Sequence, residues 1–140
     1  MPLLSSSKAF QTMTKPSVEF DRSMPAGLSD DEALNDIQAA CFVAAKDLFP
    51  WLSLRDVIAP PHEWFDAALA RQIALHLMVK TFFVPKRRVV EMQGRSREAI
   101  NRALRTIDER LDEPRFFECY QDLTDRARSL VLETRIRRAA

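Results

Sequence analysis

Apolar side chains recur at spacings of three and four along most of this chain, and runs of strict alternation are short, so the pattern predicts helices rather than strands. From Ser29 onward "SDDE" reads as a capping box in which Ser29 and Glu32 satisfy each other's amides. The helix it opens carries Leu34, Ile37, Cys41, Ala44 and Leu48 as one stripe ending near Pro50. "SLRDVIAPP" predicts a short helical turn over 53–58, closed by a proline pair that cannot donate to a continuing helix. A second long helix is expected from about His62 to Phe83, with Phe65, Leu69, Ile73, Leu77 and Met78 facing the core. Pro85 suits the first turn of a third, "KRRVVEMQ", burying Val89, Val90 and Met92 while Lys86, Arg87 and Arg88 stay wet.

Gly94 then allows a left-handed turn, and Ser96 can cap the helix that follows. That helix has the clearest stripe: Ile100, Ala103, Leu104, Ile107 and Leu111 inward, with Arg97, Glu98, Asn101, Arg102 and Arg105 outward. Beyond Pro114 a last amphipathic helix carries Phe117, Tyr120, Leu123, Ala127 and Leu130. Residues 1–28, rich in Ser and Thr with Pro2, Pro16 and Pro25, lack a sustained period and are expected to form a flexible arm. The fold class is therefore all-α, about five helices over 29–132 with a helix-turn-helix at about 86–111, followed by a basic tail over 133–140.

Length and composition agree. A chain of 140 residues, 46% hydrophobic and 29% charged, supports one soluble domain with a core. Cys41 and Cys119 both lie in apolar helical patterns and have no metal-type spacing, so buried free thiols are expected. No apolar run approaches the roughly 20 residues a membrane span needs, and residues 1–15 lack the hydrophobic region of a signal peptide. A cytoplasmic protein without membrane attachment is the expectation.

The net charge of +1 hides a division. Residues 17–70 hold ten acids against three bases, a net of −7, while residues 71–110 hold ten bases against four acids, a net of +6. A basic segment inside a nearly neutral chain is the footprint expected of a polyanion site. A short helix, a glycine turn and a second helix with one apolar side is the layout of a helix-turn-helix, whose recognition helix enters the major groove N-terminus first. Arg95, Ser96, Arg97 and Glu98 occupy its first turn, where side chains reach base edges and flanking cations hold phosphates.

"ARQIALHL" at 70–77 and "GRSREAINRALRTID" at 94–108 resemble the C-terminal DNA-binding domain of the bacterial chromosomal replication initiator DnaA. In that family an Arg-Gln pair in a long helix precedes a helix-turn-helix with the signature Gly-Arg-Asp-His-Thr-Thr and then an aliphatic residue. Arg71 and Gln72 match the pair, Gly94 and Arg95 the turn, and Ile100 the aliphatic anchor, within a likeness running from about Leu34 to Leu130. The resemblance implies phosphate contacts for Arg71, Gln72 and Arg95. Where the family has Asp-His-Thr-Thr this chain has Ser96, Arg97, Glu98 and Ala99, so the resemblance implies DNA binding without implying the usual initiator box.

Base reading is accordingly expected from Ser96, Arg97, Glu98 and Asn101, and phosphate binding from Arg71, Gln72, Arg88, Arg95 and Arg102. The two glycines, Gly27 and Gly94, cannot build the Gly-rich loop of the initiator's ATPase, so a stand-alone DNA-binding regulator of replication or transcription is expected. Its partner is double-stranded DNA, with the replication initiator or another regulatory protein as an alternative partner for an adaptor. No cofactor, metal or catalysis is expected: His62 and His76 cannot assemble a metal cluster or a triad, and "HLMVK" lacks the spacing of a phosphotransfer histidine. Trp51 and Trp64 are expected to close the core beside the proline connector.

Overall fold

A computed structural model describes residues 30–59 and 65–140. Among these, six α-helices and one π-helical turn account for all regular structure. The helices are α1 (Asp30–Asp47), α2 (Leu54–Ile58), α3 (Phe65–His76), α4 (Lys86–Gln93), α5 (Arg97–Arg110) and α6 (Pro114–Ala139), with the π turn at Leu77–Thr81. The all-α expectation holds. Ser29, Trp64, His62 and the arm over 1–28 lie outside the described residues.

Each helix begins where local chemistry favours it. Asp30, Asp31 and Glu32 fill the first turn of α1, where carboxylates meet unpaired amides. The Ser53 hydroxyl accepts from the Asp56 amide to start α2 at 3.2 Å. At α6 Pro114 occupies the first turn, and the Glu113 carboxylate accepts from the amides of Arg115 and Phe116 at 3.2 and 3.0 Å.

α3 is the centre of the packing. It touches α1, α2 and α5, and Ala67, Ala70, Ile73 and Ala74 are wholly buried. Ile37, Cys41 and Phe42 of α1, Ile100 and Ile107 of α5, and Leu123, Ala127 and Val131 of α6 complete one core. Small residues on α3 let its neighbours approach closely, and this widens the buried surface beyond the single stripe that the periodicity predicts. α6 lies antiparallel on α1. Arg126 Nε meets Asp47 Oδ2 at 3.4 Å near one end, and Arg138 grips Asp36 through Nε and Nη2, both at 2.9 Å, near the other.

Five expectations need correction. The second long helix does not run unbroken to Phe83: after His76 it widens into the π turn, where the Phe82 amide donates to Leu77 O at 3.2 Å. Phe83 then adopts φ 57° and Pro85 restricts Val84, so the chain reverses into α4. Phe65 is 66% exposed and lies under the Arg110 guanidinium, 5.6 Å from the ring centroid, instead of facing the core. Trp51 is equally exposed and meets the Phe49 ring edge-on at 5.6 Å, while Phe49 and Leu52 are the buried residues of this turn. On α6 the half-buried Phe116 takes the inward place expected of Phe117, and residues 133–139 are helix held down by Arg138, not a separate tail.

The burial pattern sets the relative cost of truncations. Ile73→Ala should destabilise the domain by about 2–5 kcal/mol, because α3 is packed from several sides and cannot collapse onto the void. Phe65→Ala should cost under about 1 kcal/mol, the worth of an exposed cation–π contact. Urea denaturation of the two variants checks the contrast, which would reverse if Phe65 were the buried residue of the pair.

Candidate nucleic-acid interface

The segment that joins α4 to α5 is built by two local devices. Gly94 ends α4 at φ 62° and ψ 33°, with its amide donating to Val90 O at 2.9 Å. A Cβ at this position would meet nothing within 4 Å, so the need for glycine is purely one of backbone conformation. Ser96 then begins α5 in an extended conformation, its hydroxyl accepting from the Ala99 amide at 3.1 Å. With Ile100, Ala103, Leu104 and Ile107 buried, Glu98, Arg102 and Arg105 are left exposed on the other side of the helix, and Arg97 is exposed in its first turn.

The expected site residues separate into groups. Arg71, Arg95 and Ser96 come together around one cleft of about 520 Å³, which also meets Gln93, Gly94 and Ala99. Arg95 and Arg97 are exposed. Arg102 Nη2 donates to Glu98 Oε1 at 3.0 Å, one helical turn apart, so these two exposed side chains neutralise each other. Arg88 stands elsewhere: its Nη2 donates to Asp31 Oδ1 at 2.6 Å and its Nε lies 3.2 Å from Glu91 Oε1, which ties it to α1. Asn101 is half-buried, and its carbonyl oxygen is shielded without a partner, so in this arrangement it does not face outward with Arg97. Gln72 is half-buried on α3.

Arg71 is the unusual member. It is 94% buried, the complement of a relative exposure of 6%, in a stretch otherwise made of apolar side chains and one half-buried Gln72. Its Nη2 donates to Gln93 Oε1 at 2.9 Å, and Gln93 Nε2 donates in turn to Gln38 Oε1 at 2.6 Å. This chain of amides links α3, α4 and α1 beneath the turn. Burial, and then the charge of Arg95, pull the guanidinium of Arg71 down to about 10. It remains charged near neutrality, but at an electrostatic cost that a nearby anion would remove.

A second polar cluster escaped the sequence reading. His76 is 3% exposed, and its ring bridges Tyr120 and Asp108. A carboxylate can only accept, so Nε2–H donates to Asp108 Oδ1 at 2.7 Å, leaving Nδ1 to accept from the Tyr120 hydroxyl. The Tyr120 ring also meets the imidazole edge-on at 5.1 Å. The triad ties the end of α3 to α5 and α6, and its residues are too far apart in sequence for a motif to betray it. Burial lowers the pKa of His76 despite Asp108, and burial raises that of Tyr120. With both groups neutral and buried, the arrangement is a structural clamp. Among the described residues no cluster of His, Cys, Asp and Glu could hold a metal ion. No helix among them is long and apolar enough to cross a membrane. Cys41 is buried and Cys119 half-buried, both free thiols.

Gly94→Ala should lower stability by about 1–2 kcal/mol, the cost of a left-handed residue bearing a Cβ. Urea denaturation measures it, and an unchanged midpoint would mean that the turn relaxes. For His76 the folded-state pKa lies below the unfolded value near 6.5, so the unfolded chain takes up the proton first. Stability from this group is therefore complete above about 6.5 and is lost as pH falls below it. Thermal melts between pH 7.5 and 5 should show this loss, and His76→Asn should flatten it; equal slopes in the two proteins would remove His76 as the cause. In comparisons with known proteins, no family model, curated protein or solved structure matches this chain.

Proposed function

We propose that the chain is a double-stranded DNA-binding regulatory protein that presents the N-terminal half of α5 to the major groove and controls replication initiation or transcription. The observation that carries this reading is the cleft joining Arg71 and Arg95 at the start of α5, lined by no acid among the described residues and followed in the chain by the exposed Arg97. DNA recognition requires this combination: cations and amides to fix phosphates, and one or two extended donors to read base edges. The likeness to the replication initiator's DNA-binding domain in "ARQIALHL" and "GRSREAINRALRTID" points the same way.

Arg97 is the principal base reader in this proposal, because a free guanidinium can pair bidentately with guanine. Ser96 still has its hydroxyl proton to donate after capping α5. Glu98 and Arg102 reach DNA as a pair whose ion bridge opens on binding, and Asn101 needs a side-chain rotation to take part. Arg95 and Arg71 hold phosphate, and Gln72 supports Arg71 along α3. Arg88 contributes only where DNA displaces Asp31.

A second reading rests on a different surface. Leu132 and Ile136 are 53% and 60% exposed at adjacent turns of α6, a spacing that suits an adaptor docking on a protein such as the replication initiator or another regulator. Selection of sites from a random duplex pool, followed by affinity in rising salt, separates the two. Binding should weaken steeply with salt, and an adaptor should show no such trend. At the selected site Arg97→Ala should cost about 1–3 kcal/mol and relax specificity at one position. Arg95→Ala should weaken selected and scrambled duplexes alike. Equal losses on both duplexes for Arg97→Ala would contradict its role in base reading.

A further inference from the structure

A buried arginine ordinarily finds a carboxylate. Arg71 instead finds an amide: among the described residues its hydrogen bond goes to Gln93 Oε1, and its Nε is buried without an acceptor. Gln93 is itself fixed, since its Nε2 donates to Gln38 Oε1 at 2.6 Å. Among the described residues lining the cleft none is acidic, and the other charge there is Arg95, of the same sign. The N-terminus of α5 opens at this cleft through Ser96 and Ala99. Two arginines and the positive end of a helix thus border one space, with no acidic side chain among the described residues that line it.

A glutamate is close to glutamine in size and would pair with Arg71 as a carboxylate, but it would also cancel its charge. An amide does something different: it accepts one hydrogen bond, orients the guanidinium plane and leaves its positive charge uncompensated. We propose that Gln93, clamped by Gln38, is a positioning residue that holds the Arg71 guanidinium at the edge of the cleft, still positively charged, for a single phosphate oxyanion seated between Arg71, Arg95 and the start of α5. This deepens the DNA-binding reading on which it rests, by assigning one backbone phosphate to the cleft and naming the two glutamines that prepare its cation.

The relay also accounts for why an exposed turn is coupled to α1. Gln38 stands on α1, so a phosphate in the cleft is sensed through Arg71 and Gln93 by a helix that does not itself face the cleft. A role limited to packing would make Gln93 replaceable by any group of similar size. Positioning demands an acceptor that carries no charge.

The test titrates the full chain with inorganic phosphate at constant ionic strength and follows the Arg71 Nε–H resonance by NMR. The parent should show a saturable shift at this proton. Gln93→Glu should abolish it while melting no lower than the parent, because Arg71 then has an internal counter-ion. Gln93→Leu, which removes the acceptor without adding charge, should weaken phosphate binding about tenfold, the worth of one hydrogen bond to a charged group. With duplex DNA, Gln93→Glu should make the salt dependence shallower by about one phosphate contact, a change of roughly 0.9 in slope. No saturable shift in the parent, or equal shifts in parent and Gln93→Glu, would overturn the proposal whatever DNA does. A phosphate response that Gln93→Glu removes, in a parent that binds no duplex, would support the cleft and reject the DNA reading.

Discussion

The domain depends on the burial of α3. This helix is packed by α1, α2 and α5, and its continuation through the π turn carries Leu77 and Met78 into the same core. Its alanines make that possible by letting three neighbours approach one axis. The cost is that both polar groups on the buried faces must find partners within the protein. His76 at one level is satisfied, and Arg71 more than one turn earlier is satisfied in part, by side chains from other helices, and those bonds orient α4, α5 and α6 around α3. The polar groups therefore specify the arrangement that the apolar contacts stabilise.

The two ends of α5 are held differently, which suits a helix that presents its first turns outward. Its C-terminal half is clamped through Asp108 to His76 and packed by Ile107. Its N-terminal half rests on Ile100 and on the Gly94–Ser96 turn, leaving Arg97 free of any intramolecular ion pair among the described residues. The base-reading role proposed for α5 requires a firm base and an unencumbered tip, and this helix has both.

Much of this was legible along the chain. Helices α1, α2, α4, α5 and most of α6 follow from apolar spacing, from Ser53 and Ser96 as caps, and from Pro85, Gly94 and Pro114 as punctuation. The meeting of Arg71 with the Gly94 turn was legible only through resemblance, since 22 residues separate Arg71 from Gln93. Aromatic burial was misjudged at Trp51, Phe65 and Phe117, because hydrophobicity alone does not tell which of two adjacent aromatic or apolar residues faces inward when a turn or helix start intervenes. The π turn had no local signal: "LMVKT" is compatible with an α-helix, and the wider register is set by the tertiary contacts of Leu77 and Met78. Counting charge also overstated the basic face, for Arg88 and Arg102 are paired with Asp31 and Glu98. Of the arginines expected to touch DNA, Arg95 and Arg97 are the exposed ones without an ion pair among the described residues, with Arg71 behind them.

The most direct measurement of the central claim is a map of amide chemical-shift changes when the full chain is titrated with duplex DNA at low salt. The account predicts that the perturbed residues cluster over 93–102 and around Arg71, with α6 untouched. Perturbations centred on Leu132 and Ile136, or none at all at the lowest salt, would contradict it.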